Sequence, residues 1–167
     1  MLKKSTSILN IKLLILFQLL LLSSCCISKQ PHTMKDTEHF VFRLKPGMDL
    51  KKSIQAFAEE NHIKAGWIAT CVGSLTSYSL RFANQTDVKS ETGHFEMVSL
   101  TGTVSENGSH LHLAVSDSTG KTIGGHLADG NIVYTTAEIV IQSSKRLVFK
   151  RENDGSTPWK ELKIEDQ

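Results

Sequence analysis

The sequence predicts an α+β fold, a mostly antiparallel β-sheet of about six to seven strands carrying one main helix. Three observations lead there. Short runs of alternating apolar and polar residues follow one another, separated by glycine-, asparagine- and proline-rich turns. A single stretch, about 49–62, has helical periodicity. One pair of runs, 110–116 and 121–127, alternates in step on both arms, as a hairpin must.

Residues 1–24 are set apart from that fold. Lys3 and Lys4 precede Leu13 to Leu22, an apolar run of ten residues broken by Gln18. The run is too short to span a bilayer and has the order of a signal peptide. It ends Leu22-Ser23-Ser24-Cys25, which resembles the bacterial lipobox. That resemblance implies lipidation of Cys25 and cleavage just before it. A plain signal peptide beside a chance cysteine, or an uncleaved anchor, are the competing readings. The expected location is the cell envelope, with the chain lipid-anchored to a bacterial membrane. Residues 25–37 then read as a tether, 38–153 as the domain and 154–167 as a C-terminal tail.

Within the domain, Glu38 to Leu44 alternates with Phe40, Phe42 and Leu44 on one face, and Pro46-Gly47 ends that strand. Asp49 is placed to cap a helix running to about His62. Leu50, Ile54, Phe57 and Ala58 share its apolar face. Strands are expected at Trp67 to Val72, stopped by Gly73, at Tyr78 to Ala83, and at Phe95 to Val104, with a polar connection at 84–93. The hairpin follows, then strands at Ile132 to Ile141 and Arg146 to Arg151. In the tail, Leu162 to Ile164 adds a short strand or nothing. Cys71 sits in an apolar strand and reads as a small buried hydrophobe rather than a nucleophile.

Charge narrows the partners. The chain has 19 basic and 17 acidic side chains; removing Lys3, Lys4 and Lys12 leaves 16 against 17, a net of −1 with neutral histidines. That is no footprint for a phosphate backbone, and nucleic acid is not an expected partner.

The hairpin is the informative segment. His110 and His112 point to one face of their strand, and Leu111, Leu113 and Val115 to the other. Ser118-Thr119-Gly120 suits a three-residue loop with Gly120 in the left-handed region. Counting outward, Val115 faces Ile123, Leu113 faces Gly125, His112 faces His126 and His110 faces Ala128. A two-residue loop would put His126 on the apolar face. The pattern therefore collects three histidines beside the small residues Ala114, Gly124 and Ala128. Three imidazoles with an open position suit zinc or another divalent transition metal. A bulge at Gly124-Gly125 would shift these pairings, and a chance cluster on a polar face is the alternative.

Phe95 to Val104, Gly108-Ser-His-Leu-His-Leu-Ala-Val-Ser116, Gly120-Lys-Thr-Ile-Gly-Gly-His-Leu127 and Gly130 to Ile141 together resemble the PPC domain, "plant and prokaryote conserved". Weaker similarity reaches back to Phe40. The resemblance implies an α+β fold, a homotrimer, and zinc near the subunit contacts held by His110, His112 and His126. Glu138 matches the acidic position of the family's T-A-E segment and is the candidate general base, or else an interface carboxylate. Plant relatives carry AT-hooks and bind A·T-rich DNA; this sequence has no Arg-Gly-Arg-Pro hook. The expected function is a metal-binding homotrimer that takes a small ligand. A metal-dependent enzyme, a DNA-binding protein as in plants and a purely structural trimer are the alternatives.

Overall fold

The computed structural model describes residues 36–167. The leader, Cys25 and most of the expected tether lie outside them. In order, the elements are β1 (Thr37–Leu44), α1 (Leu50–Glu60), β2 (Gly66–Arg81), β3 (Val88–Ser105), β4 (Gly108–Ser116), β5 (Thr122–Leu127), β6 (Ile132–Ser144), β7 (Leu147–Glu152) and β8 (Glu161–Asp166). The first six strands form one sheet in the order β1-β6-β2-β3-β4-β5, and β7 pairs with β8 in a second. Every pairing is antiparallel. Among the described residues no helix is long and apolar enough to cross a membrane.

The elements are those expected, with three differences. The two strands expected on either side of Gly73 are one strand, β2, of 16 residues. Gly73 acts as a bulge within it: the register against β6 shifts between Gly73 and Leu75. Its φ is 151°, and a Cβ there would lie 2.0 Å from the Thr136 carbonyl oxygen. Second, β3 begins at Val88, inside the polar stretch expected to be a connection. Those residues pair with Ser77–Arg81 of β2 and are mostly exposed, so they carry no apolar alternation to be read. Third, the tail does form a strand, β8, paired along its whole length with β7.

Helix α1 starts where its cap predicts. Asp49 Oδ1 accepts from the Lys52 N–H at 3.1 Å, satisfying a donor of the first turn. Leu50, Ile54 and Ala58 are buried against the sheet, and Phe57 stacks on Phe42 with ring centroids 3.9 Å apart. The helix ends at Glu60, two residues short of His62, whose φ of 51° turns the chain out of the helix. The core lies between α1 and the sheet, and Leu111, Leu113, Val115 and Leu127 of the hairpin belong to it. Cys71 is buried there too, and burial pushes its thiol up to about 12.

Two features fix the region around the hairpin. At its C-terminal end β2 leaves β6, and Leu80 and Arg81 pair instead with Leu127 and His126 of β5. Strands β2, β3, β4 and β5 thereby close a ring. Gly125 permits that closure, because a Cβ there would lie 2.7 Å from the Arg81 carbonyl oxygen. Behind the ring, the buried Asn131 donates to the carbonyls of Ser79 and Ala128, and its Oδ1 accepts from the Ser79 N–H. Asn131 thus stitches β2 to the β5–β6 turn. Asp49 joins the same turn, accepting from the Gly130 N–H at 2.7 Å.

Candidate metal centre

The hairpin has the register that its residue pattern predicts. His112 pairs with His126, Leu113 with Gly125, Ala114 with Gly124 and Val115 with Ile123. No bulge interrupts these pairs. The turn is closed by Asp117, whose N–H donates to the Lys121 carbonyl at 3.0 Å, and Gly120 has a φ of 82°. His110 has no paired residue on β5, because the ladder between β4 and β5 ends at His112 and His126.

The three imidazoles converge. His110 Nε2 lies 3.1 Å from His126 Nδ1 and 3.2 Å from His112 Nε2, and His112 Nε2 lies 3.1 Å from His126 Nδ1. A tetrahedral ion with bonds of about 2.0–2.1 Å holds its ligands roughly 3.3 Å apart. The donor set and its spacing therefore fit a zinc-like ion.

Hydrogen bonding among the rings is a poorer account. A neutral imidazole has one donor nitrogen and one acceptor nitrogen. In a closed triangle, one proton cannot lie along all three contacts, so lone pairs face one another. A shared cation satisfies all three. His110 holds its proton less tightly than an ordinary imidazole, through burial first and then the nearby Arg151 charge. His126 does so through burial and then Arg81. Both shifts keep the rings neutral, the state that binds a metal.

Arg151 Nη2 lies 3.3 Å from His110 Nδ1, and the same atom donates to the Lys160 carbonyl at 2.6 Å. An ion on Nε2 would leave the His110 proton on Nδ1, facing Arg151 as a second donor. The longer of the two Arg151 contacts would then give way, and the shorter would hold the side chain.

Sequence reasoning missed the rest of the site. Arg81 pairs with His126 across β2 and β5, and its guanidinium lies 4.9 Å over the Trp159 ring. Arg151, Trp159, Lys160 and Glu161 come from β7, β8 and the loop between them. With His110 and His126 they line an open cavity of about 690 Å³. The signal available was the apolar Leu147-Val-Phe149 followed by Arg151. Phe149 is buried and Arg151, two residues on, shares its inward face.

Glu138 is placed elsewhere. It is exposed on β6, between Arg43 of β1 and Val72 of β2. Arg81, the partner of His126, is nine residues further along β2, about 30 Å of extended strand. Within one chain Glu138 does not meet the histidines.

The family model of the Plants and Prokaryotes Conserved (PCC) domain matches residues 32–145. The chain belongs to the PCC family, the PPC domain of the resemblance drawn from the sequence. A protein of unknown function from Salmonella cholerae-suis has the same fold, with a TM-score of 0.78 and 41% identity, over 81% of this chain and 99% of that one. The metal-containing protein AF0104 from Archaeoglobus fulgidus shares the fold at a TM-score of 0.69 and 24% identity, over 81% of this chain and 99% of that one. A curated relative, the bifunctional protein GlmU of Synechococcus sp. (strain JA-3-3Ab), is 41% identical over 136 residues. Those residues are 81% of this chain and 22% of the relative, so the PCC chain spans about a fifth of that protein's length.

Proposed function

We propose that this PCC-domain chain is a metal-binding protein, taking zinc or a similar divalent transition ion, that assembles as a homotrimer at the cell envelope and binds a small ligand at its three-histidine centre. The triangle of ring nitrogens at 3.1–3.2 Å carries the reading. The metal-containing neighbour from Archaeoglobus fulgidus supports it. An ion held there would supply Lewis acidity and an open coordination position. The chain's own residues hold and orient. The β4–β5 register aims His112 and His126 at one point, and Ala114 with Gly124 leaves the neighbouring row of that face without bulk.

Two further observations bear on assembly and location. Val41 and Val72 are 75% and 54% exposed on one face of the β1–β6–β2 sheet, Val72 in the row of Arg43 and Glu138 and Val41 in the next row. Exposed valines beside an Arg43–Glu138 pair suit contact with further copies. The signal-peptide order of residues 1–24 and the lipobox-like Leu22 to Cys25 support export and a lipid anchor.

A metal-dependent enzyme is the second reading, favoured by the open cavity against His110 and His126. Turnover of a substrate panel that is lost on chelation would separate it from a binding protein.

The metal is tested by elemental analysis of the purified chain after incubation with zinc and dialysis. One zinc per chain is expected. His112→Ala, an exposed position that the core does not need, should lower zinc affinity at least ~100-fold, more than loss of an outer-shell partner does. A chain that retains no zinc, or an unaltered His112→Ala, would contradict the proposal.

A further inference from the structure

The hairpin of β7 and β8 lies beyond the residues that the family model matches, yet it builds one wall of the cavity at the histidines. It is docked firmly. Phe149 is buried, its N–H donates to the Lys64 carbonyl at 2.8 Å, and its own carbonyl accepts from Ser105 Oγ at 3.1 Å. This docking turns Arg151 towards His110. From the opposite wall, Arg81 projects beside His126, its guanidinium resting on Trp159 of the hairpin loop.

Three cations, Arg81, Arg151 and Lys160, therefore line the cavity against one acid, Glu161. Glu161 is itself engaged, accepting from Thr157 Oγ1 at 2.6 Å. Arg81 donates to the Gln85 carbonyl at 3.2 Å and Arg151 to the Lys160 carbonyl. No carboxylate among the described residues offsets the repulsion between these guanidiniums and a divalent ion beside them, a repulsion that negative charge between them would relieve. We infer that the ligand is a small anion bearing a carboxylate or phosphate group, held between the ion on the three histidines and the guanidiniums of Arg81 and Arg151. The inference rests on the metal reading above and gives its ligand a chemical class.

The chemistry is well matched. A guanidinium presents paired N–H donors that fit two oxygens of a carboxylate or phosphate, and stacking on an aromatic ring fixes its plane. Trp159 does that for Arg81. An oxygen of the same anion can take the open position on the ion. A cavity of about 690 Å³ has room for a metabolite-sized molecule around that group.

Calorimetry on the zinc-loaded chain, with its zinc content measured first, tests this. Inorganic phosphate and succinate are the two probes, and glucose is the neutral control. At least one anion should bind with a Kd below about 1 mM, and glucose should not. Whichever binds identifies the group. Arg151→Gln and Arg81→Gln should each still take up zinc and weaken anion binding about tenfold or more. Trp159→Ala should weaken it less. Arg151 also holds the Lys160 carbonyl, so Arg81→Gln, which leaves that contact in place, carries the test should Arg151→Gln lose its fold. A zinc-loaded chain that binds neither anion, or binds them equally well in Arg81→Gln, overturns this inference alone. A chain that takes up no zinc overturns the metal reading and this inference with it.

Discussion

At the scale of residues, the centre is made by side chains whose ordinary preferences are overridden by their neighbours. His110 and His126 hold protons less tightly than the usual 6.5, each mainly through burial and secondly through an adjacent arginine. With the folded value below the unfolded one, the unfolded chain binds more protons once the pH falls under about 6.5. These two histidines should therefore cost the metal-free fold nothing above that point and destabilise it below, a loss on acidification that urea titrations at several pH values would register. Zinc affinity should fall over the same range, because protons compete for the same nitrogens. Asn131 is the supporting residue that pattern reading does not single out. Its three hydrogen bonds hold Ser79 of β2 to the β5–β6 turn, two residues from Arg81. Asn131→Ala would leave the buried Ser79 N–H unpaired, while the Ser79 carbonyl keeps the Ala128 N–H at 3.1 Å, and should cost about 1–3 kcal/mol in denaturant unfolding. A loss under about 0.5 kcal/mol, the scale of ordinary surface changes, would show that the stitch matters little.

At the scale of elements, the β4–β5 hairpin was legible because three local rules agreed. The turn length, Gly120 in its left-handed position, and the apolar face of both arms all select one register, and that register collects the histidines. Other elements were less legible for physical reasons. Gly73 reads as a strand end, yet it is a bulge inside β2, a distinction set by the approach of the Thr136 carbonyl from β6. The start of β3 is exposed on both sides, so nothing in its residues alternates. The β7–β8 hairpin is short and charged, its pairs Lys150–Glu165 and Lys163–Glu152 being exposed ion pairs that contribute little. Phe149 is its one buried large apolar side chain, with Leu147, Val148 and Leu162 half-buried. Two glycines of the β4–β5 hairpin separate turn strain from sheet closure. A Cβ at Gly120 meets no neighbour within 4 Å, so Gly120→Ala should cost only the left-handed backbone term, about 1–2 kcal/mol, with zinc affinity nearly kept. Gly125→Ala drives a methyl against the Arg81 carbonyl, and should both destabilise the chain and weaken zinc by moving His126. Equal zinc affinity in the two variants would refute the view that the β2–β5 closure positions the centre.

At the scale of the whole molecule, the sheet turns one face to the core, and its outer face carries two separate regions. One, on β4 and β5, holds the histidines. The other, on β1, β6 and β2, exposes Val41 and Val72 with Glu138, and Arg43 lies opposite Glu138 on β1. If that second region joins copies of the chain, Glu138 is an interface carboxylate rather than a base for the metal, the alternative that the sequence left open. Val72→Lys should then convert a trimer to a folded monomer in light scattering, with little change in intrinsic stability, since the side chain is already exposed. A trimer undisturbed by Val72→Lys would move the interface elsewhere. The central claim concerns the first region, that His110, His112 and His126 hold one ion together. X-ray absorption spectroscopy of the zinc-loaded chain tests it most directly. The prediction is three imidazole nitrogens and one further light atom at about 2.0–2.1 Å, with the imidazole signal reduced in His126→Ala. A zinc bound through sulfur at about 2.3 Å, or with no more than one imidazole, would contradict it.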